Sequence, residues 1–262
     1  MKILTVSSFK GGTAKTSIAL NIGAALARFY DKKILYIDFD AQANLTAGLG
    51  FDPDTLDSLA PALQGEKTIG DVIVKTEFEN IDLIPADTWL ERVEVTGALA
   101  QDRYSHEKLK TLLKEVDYDL VIIDTPPSLC WLTESALIAC THALVCSTPE
   151  FYSIKGLQRL SYFMHYIAER HPFEVLGVIL SFFNHRGKNN EAFLNVIEEA
   201  FPGKILSSKI RRDIAVTEAS ICGKSLFDVK PGSRAAIDFK CLCDEINSLL
   251  FNAEIKETVC QS

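Results

Sequence analysis

The stretch Lys2-Ile3-Leu4-Thr5-Val6-Ser7-Ser8-Phe9-Lys10-Gly11-Gly12-Thr13-Ala14-Lys15-Thr16-Ser17 decides how this chain is read. Residues 2–8 form a short β-rich run. From Thr16 to Phe29, Ile18, Ile22, Ala25 and Phe29 recur at helical spacing. Between strand and helix lies a turn with two adjacent glycines followed by Lys-Thr. At such a junction backbone N–H groups point outward unpaired and the helix dipole favours an anion. The glycines let the backbone bend closely around phosphate oxygens. Lys15 would then reach the β- and γ-phosphates, and the Thr16 hydroxyl would ligate Mg²⁺. The ordinary pattern is G-x-x-x-x-G-K-[ST]. Phe9 stands at its first glycine and Ala14 at its second, so a plain strand-to-helix turn is the competing reading. Ala14 is tolerated there if its φ is negative.

Working outward, strand-like and helix-like runs alternate from end to end. Strands are expected at 33–38, 81–85, 120–124, 142–147 and 175–183. A helix is expected at 105–116 with Ser105 as its cap. Further helical stripes are Leu157/Leu160/Met164/Ile167, Phe193/Val196/Ala200 and Phe239/Leu242/Ile246/Leu249. Strand–helix alternation implies crossover connections, hence a doubly wound α/β fold whose mostly parallel sheet is flanked by helices on both faces. No Pro/Gly/Ser-rich linker divides the chain. The expectation is a single domain over 1–252, with its first strand opening at residue 2 and a polar tail at 253–262. The loop-like stretch 52–68 reads as an excursion within that domain.

Two strand ends carry carboxylates. The second strand runs into Asp38-Phe39-Asp40-Ala41-Gln42-Ala43-Asn44-Leu45-Thr46, where α/β sheets place their ligands. A carboxylate there can orient a water in line with a γ-phosphate. The run Leu120-Val121-Ile122-Ile123-Asp124 delivers a further acid from a buried strand to an Mg²⁺ shell. The stiff Thr125-Pro126-Pro127-Ser128 follows it.

Lys10-Gly11-Gly12-Thr13-Ala14-Lys15-Thr16 resembles the deviant Walker A motif of the ParA/MinD family of ATPases, with Ala14 replacing the usual glycine. Residues 38–46 resemble the family's D-x-D-P-Q-x-N-x-T segment, with Ala41 for Pro. Residues 124–128 resemble its D-T-P-P-S switch, with Cys130 where Gly is usual. Pro149-Glu150 with Gly156-Leu157, Ile210-Arg211-Arg212-Asp213 with Glu218-Ala219, and residues 231–236 extend the resemblance over roughly 2–250. It implies an ATP hydrolase using ATP and Mg²⁺. Lys10, Gly11, Gly12, Thr13, Ala14, Lys15, Thr16 and Ser17 would hold the phosphates, with Thr16 and Asp124 at the metal. Asp40 would place the attacking water, and Lys10 would cross to the phosphates of a second subunit in an ATP-bound dimer. Arg211, where the family has Pro, would lie near the adenine. The resemblance also implies partition of a chromosome or plasmid, a ParB-type DNA-bound partner, and a cytoplasmic, nucleoid-associated location.

Composition narrows the rest. Lys plus Arg is 27 against 35 Asp plus Glu, a net charge of −8, which argues against a surface coated all over with nucleic acid. A local patch remains open. Basic residues thicken after residue 180, and Arg186, Lys209 and Arg212 are the candidates for non-specific DNA contact, although Ala215 occupies the place of one arginine that relatives use. No run approaches the roughly 18 apolar residues of a membrane-spanning helix, and the short apolar run at residues 3–6 lacks the longer apolar region and cleavage site expected of a signal peptide. The acidic stretch 244–257 suits a membrane-riding relative of the MinD type poorly. The seven cysteines show no metal spacing and read as free thiols. Cys130 stands alone, and Cys241-x-Cys243 reads as helix core rather than an iron–sulfur pair. A protein-cargo positioner, or a nucleotide-gated regulator whose turnover is incidental, is the alternative function.

Overall fold

A run such as Leu120–Asp124, apolar on both faces, fits only the middle of a sheet covered on both sides. The computed structural model describes residues 1–90, 102, 104–150, 153–183 and 190–252. Among them are eight strands: β1 (Lys2–Ser7), β2 (Ile34–Asp38), β3 (Val74–Lys75), β4 (Ile81–Ile84), β5 (Leu120–Asp124), β6 (His142–Ser147), β7 (Glu174–Ser181) and β8 (Ile205–Ile210). They form one sheet in the order β3-β4-β2-β5-β1-β6-β7-β8. Every neighbour pair is parallel except β3 with β4.

Successive side chains on a strand face opposite ways, and the core divides accordingly. Leu35, Ile37, Val121 and Ile123 pack under helices Trp131–Ala139 and Ser153–Ala168. Ile34, Tyr36, Leu120 and Ile122 pack against α1 (Lys15–Tyr30) and helix Arg234–Asn247. Helix α1 is buried from Ile18 through Ala27, and its small residues permit close approach. A Cβ on Gly23 would lie 2.2 Å from the Tyr36 hydroxyl oxygen, which donates to the Leu20 carbonyl.

Both sheet edges are blunted. The outer strand β3 is two residues long. At the opposite edge, the N–H groups of Ser207 and Ser208 donate to the two Glu245 carboxylate oxygens at 2.7 and 2.8 Å. These bonds hold the Glu245 carboxyl below its usual range, outweighing the upward pull of burial.

Several expectations are corrected. The helix at 105–116 is three short pieces, a 3-10 turn at Ser105–Glu107, an α-turn at Lys108–Leu112 and a second 3-10 turn at Leu113–Glu115. Ser105 is not its cap. Its hydroxyl is buried and accepts from Trp131 Nε1 at 3.4 Å. In helix Asn190–Ala200 and just after it, the buried stripe is Phe193, Ile197 and Phe201 rather than Phe193, Val196 and Ala200. At the C-terminal helix, Leu249 is exposed and Leu250 buried. A π-turn at Ser248–Asn252 adds one residue to the cycle and moves the inward position on by one. Phe29 is also exposed, edge-on to Phe227 at 5.3 Å. Stretch 52–68 contains helix Ala60–Gln64, whose Ala60, Ala62 and Leu63 join the core. Strands β3 and β8 were not expected. The tail 253–262 lies outside the described residues.

Candidate functional site: a phosphate cleft at the strand ends

The C-terminal ends of β1, β2 and β5 lie side by side, and register sets their acids. Asp38 pairs with Asp124 across β2/β5, and Val6 pairs with Asp124 across β1/β5. The turn after β1 therefore arches over Asp124. Lys15 Nζ donates to Asp124 Oδ1 at 2.5 Å and Thr16 Oγ1 to Asp124 Oδ2 at 2.6 Å. Both partners of the ion pair are buried, at 6% and 0% side-chain exposure, so this is a desolvated pair within the cleft floor. Burial alone would lower the Lys15 pKa. The charge and hydrogen bond of Asp124, with help from Asp40, push it above its ordinary value.

The turn is strained where the sequence departs from glycine. Ala14, the N-cap of α1, has φ 59° and ψ 23°, so the condition for tolerating alanine is not met. It occupies the left-handed region, which costs an L-residue about 1–2 kcal/mol. Its carbonyl still opens the helix by accepting from Ile18 N at 2.8 Å. Gly12 also has positive φ, at 77°. The Thr13 carbonyl accepts from Ser181 Oγ at 2.6 Å, which ties the turn to the end of β7. The buried Thr13 Oγ1 has no hydrogen-bond partner, a polar group facing an unmet need at the phosphate turn.

The second strand end forms a separate hub. Asp38 is fully buried. Its Oδ2 accepts from Thr46 N and Thr46 Oγ1, both at 2.8 Å, and its Oδ1 from Asp40 N at 3.3 Å. The Thr46 hydroxyl in turn accepts from Ala86 N at 3.0 Å. Burial first, and then the nearby Asp124 charge, push the Asp38 carboxyl up to about 7. Asp40 lines the cleft, is raised by burial and by Asp124, and accepts from Gln42 N at 3.0 Å.

The cleft between these parts measures about 410 Å³ and is walled by residues 10–17, Asp40, Gln42, Asn44, Pro127 and Ser220. A larger groove of about 700 Å³ lies between 53–66 and 87–89. It presents Asp54, Asp57, Glu66 and Asp87, which repel phosphate. Among the described residues no group of three or more His, Cys, Asp and Glu could hold a metal by itself. The donors present, one hydroxyl and one carboxylate, are hard oxygens of the kind Mg²⁺ shares with nucleotide phosphates. The residues fit that ion.

A family model described as an AAA domain matches residues 1–175. Over 252 residues the chain is 62% identical to a ParA family protein of Chlamydia muridarum, covering 95% of this chain and 99% of the relative. The chain belongs to the ParA family. Within this family of ATPases it is also 34% identical to the chromosome partitioning protein ParA of Caulobacter vibrioides, over 90% and 91% of the two chains. The fold is shared with Cyanothece apo McdA at TM-score 0.84, 24% identity and coverage of 95% and 99%. Two further structures resemble it. One is cobyrinic acid a,c-diamide synthase of Mycobacterium smegmatis with bound ADP and magnesium (TM-score 0.82, 26% identity, 96% of each chain). The other is MinD of Pyrococcus horikoshii complexed with Mg-ADP (TM-score 0.77, 27% identity, 95% and 97%).

Lys10, Gly11, Gly12, Thr13, Ala14, Lys15, Thr16, Ser17 and Asp40 all line one cleft, with Asp124 beneath it. Lys10 stands at its rim, paired with Glu150 of its own chain. Arg211 does not line the cleft. Its Nε and Nη2 grip Asp238 at 2.9 and 2.7 Å, and its backbone N–H donates to the same carboxylate. Lys209 donates to the Leu206 carbonyl at 3.2 Å and lies 5.6 Å from the Phe183 ring centroid. Arg212 is exposed and lies 4.9 Å from the Phe182 centroid. Arg186 lies outside the described residues. Cys241 is exposed and only Cys243 is core, which corrects the reading of that pair. Sequence reasoning gave no role to Asp38, Thr46 or Ser181. Asp38 and Thr46 stand at the two ends of the 38–46 segment, but only the fold shows that they bond to each other and brace Asp40, and Ser181 lies in no motif.

Proposed function

We propose that this ParA-family ATPase binds MgATP in the 10–17 cleft, pairs on it, holds DNA non-specifically while paired, and releases it on slow hydrolysis to move a chromosome or plasmid. The carrying observation is that Lys15 and Thr16 both converge on Asp124 with Asp40 at the cleft wall. The Lys15 ammonium, held by Asp124, is the cation that a phosphate would take over. When the nucleotide enters, Lys15 turns its ammonium from Asp124 to the phosphates. Thr16 and Asp124 would hold Mg²⁺, which would supply positive charge against the phosphate oxygens when bound. Asp40, fixed by Gln42 N and by the Asp38 hub, orients the attacking water and accepts its proton. Lys10 reaches the phosphates of the partner copy and adds a cation there.

The DNA face would comprise Lys209, Arg212 and Arg186, and the trigger for turnover a ParB-type DNA-bound partner. No described helix is long and apolar enough to cross a membrane. The reading is tested with Asp40→Ala. This variant is expected to take up MgATP, pair and remain on DNA, while phosphate release falls by about 10²–10⁴-fold. Undiminished release would assign the water to another residue. Absence of ATP uptake by the parent chain in calorimetry would remove the whole reading.

A further inference from the structure

The turn that carries Lys10 is fastened to its own subunit at two points. The Lys10 ammonium pairs with the Glu150 carboxylate. One residue earlier, the Phe9 ring sits in a notch left by Gly156, where a Cβ would come within 2.3 Å of Phe9 Cδ1. The Arg159 guanidinium lies 5.9 Å from the centroid of the same ring. Glu150 lies three residues past β6, and Gly156 and Arg159 lie in the first turns of helix Ser153–Ala168. One fastening is thus to Glu150 just past β6 and the other to the first turns of the following helix.

We infer that Glu150 is a positioning residue for Lys10: it parks the ammonium on its own subunit and so sets how much ATP-loaded protein is needed before two copies pair. The inference rests on the reading that Lys10 serves the partner's phosphates. To reach a phosphate across the dimer axis the ammonium would swing away from the carboxylate at home, so the two contacts compete for its position. The pair is 44% and 55% exposed, which makes it a light restraint that a polyphosphate can outbid. Phe9 in the Gly156 notch is the pivot. It keeps the turn seated on the helix while the Lys10 side chain changes partner.

The size of the effect follows from the exposure. Removing the restraint is expected to lower the protein concentration for half-maximal pairing by two- to five-fold, the upper value equivalent to about 1 kcal/mol. Sedimentation velocity with Mg²⁺ and a non-hydrolysed ATP analogue would compare the parent, Glu150→Gln, Lys10→Ala and the double variant. Glu150→Gln should pair more readily than the parent and Lys10→Ala less. Adding Glu150→Gln to Lys10→Ala should bring no gain. Unchanged or weaker pairing in Glu150→Gln, or the same gain without Lys10, would overturn the gate. A parent that stays single with the analogue sinks the paired-state reading and the gate with it. A pairing parent with an indifferent Glu150→Gln sinks the gate alone. Zero-length carbodiimide coupling gives a readout independent of pairing. A peptide joining Lys10 to Glu150 is expected from the nucleotide-free protein and should diminish when MgATP analogue is added. No joined peptide, or a yield that ignores nucleotide, would also overturn it.

Discussion

The phosphate end of the cleft and the basic region beyond β7 handle charge in opposite ways. At the phosphate end Lys15, Asp124, Asp38 and Asp40 are buried together, so the Asp124 charge acts on the other three and none has a cheap alternative partner. Among the described residues beyond β7 the cations are surface groups, several with a private partner: Lys204 with Glu174, Arg211 with Asp238, Lys230 with Glu218, Arg234 with Asp213, Lys240 with Asp244. A count of lysines and arginines therefore overstates the charge this half can offer a polyanion. Arg212, stacked on Phe182, is among the cations left facing outward. The lesson is that buried charges define a site through one another, whereas surface charges define one only after their local partners are subtracted.

The largest effect that would break this contrast is at Lys15. Lys15→Ala leaves Asp124 buried without its cation, so it is expected to cost about 3–5 kcal/mol of stability and to abolish measurable nucleotide uptake. Denaturant melts and calorimetry would check both, and a variant as stable as the parent would show that the buried charges are not interdependent. Next comes Asp38, whose folded-state pKa is raised to about 7 against an unfolded value near 4. The folded chain holds more protons than the unfolded one between those values, so this group's contribution to stability falls as pH rises from about 4 through 7. The melting temperature of the parent minus that of Asp38→Asn should decline over that interval and level off above it. A flat difference would mean that Asp38 is charged throughout.

A smaller effect is expected at the other end. Arg212→Ala should weaken DNA binding a few-fold and reduce the slope of log affinity against log salt by about one, across unrelated sequences. An unchanged slope would remove Arg212 from the interface and leave Lys209 and Arg186 to carry it. The smallest effect is at Ala14. Ala14→Gly relieves a left-handed alanine at the cost of a more flexible unfolded chain, and should stabilise the nucleotide-free protein by about 0.5–1 kcal/mol. A thermal melt reads this as a shift of about 1–4 °C. A loss of stability would mean that the surrounding turn has adapted to the methyl group.

The same contrast explains what could be read from the residues alone. The phosphate end was legible because its chemistry sits at strand ends, where apolar runs stop at an acid or a glycine pair. Strand β8 was not, because Ser207-Ser208-Lys209 breaks its apolar pattern and its edge is satisfied by Glu245, far away in sequence. The shift from Leu249 to Leu250 depends on a π-turn that no composition signals. Arg211 looked available because its grip on Asp238 is made between β8 and helix Arg234–Asn247. Whether an alanine is tolerated at 14 depends on φ, which the residue name does not report. Glu150 was visible only as part of a resemblance, and its contact with Lys10 spans most of the domain.

The treatment of the sheet margins has a consequence wherever copies of this chain come close together. One margin ends in a stub of two residues bearing Lys75, and at the other a carboxylate occupies the outward amides of Ser207 and Ser208. A neighbouring molecule finds little ladder to extend at either margin, which works against edge-to-edge ribbons.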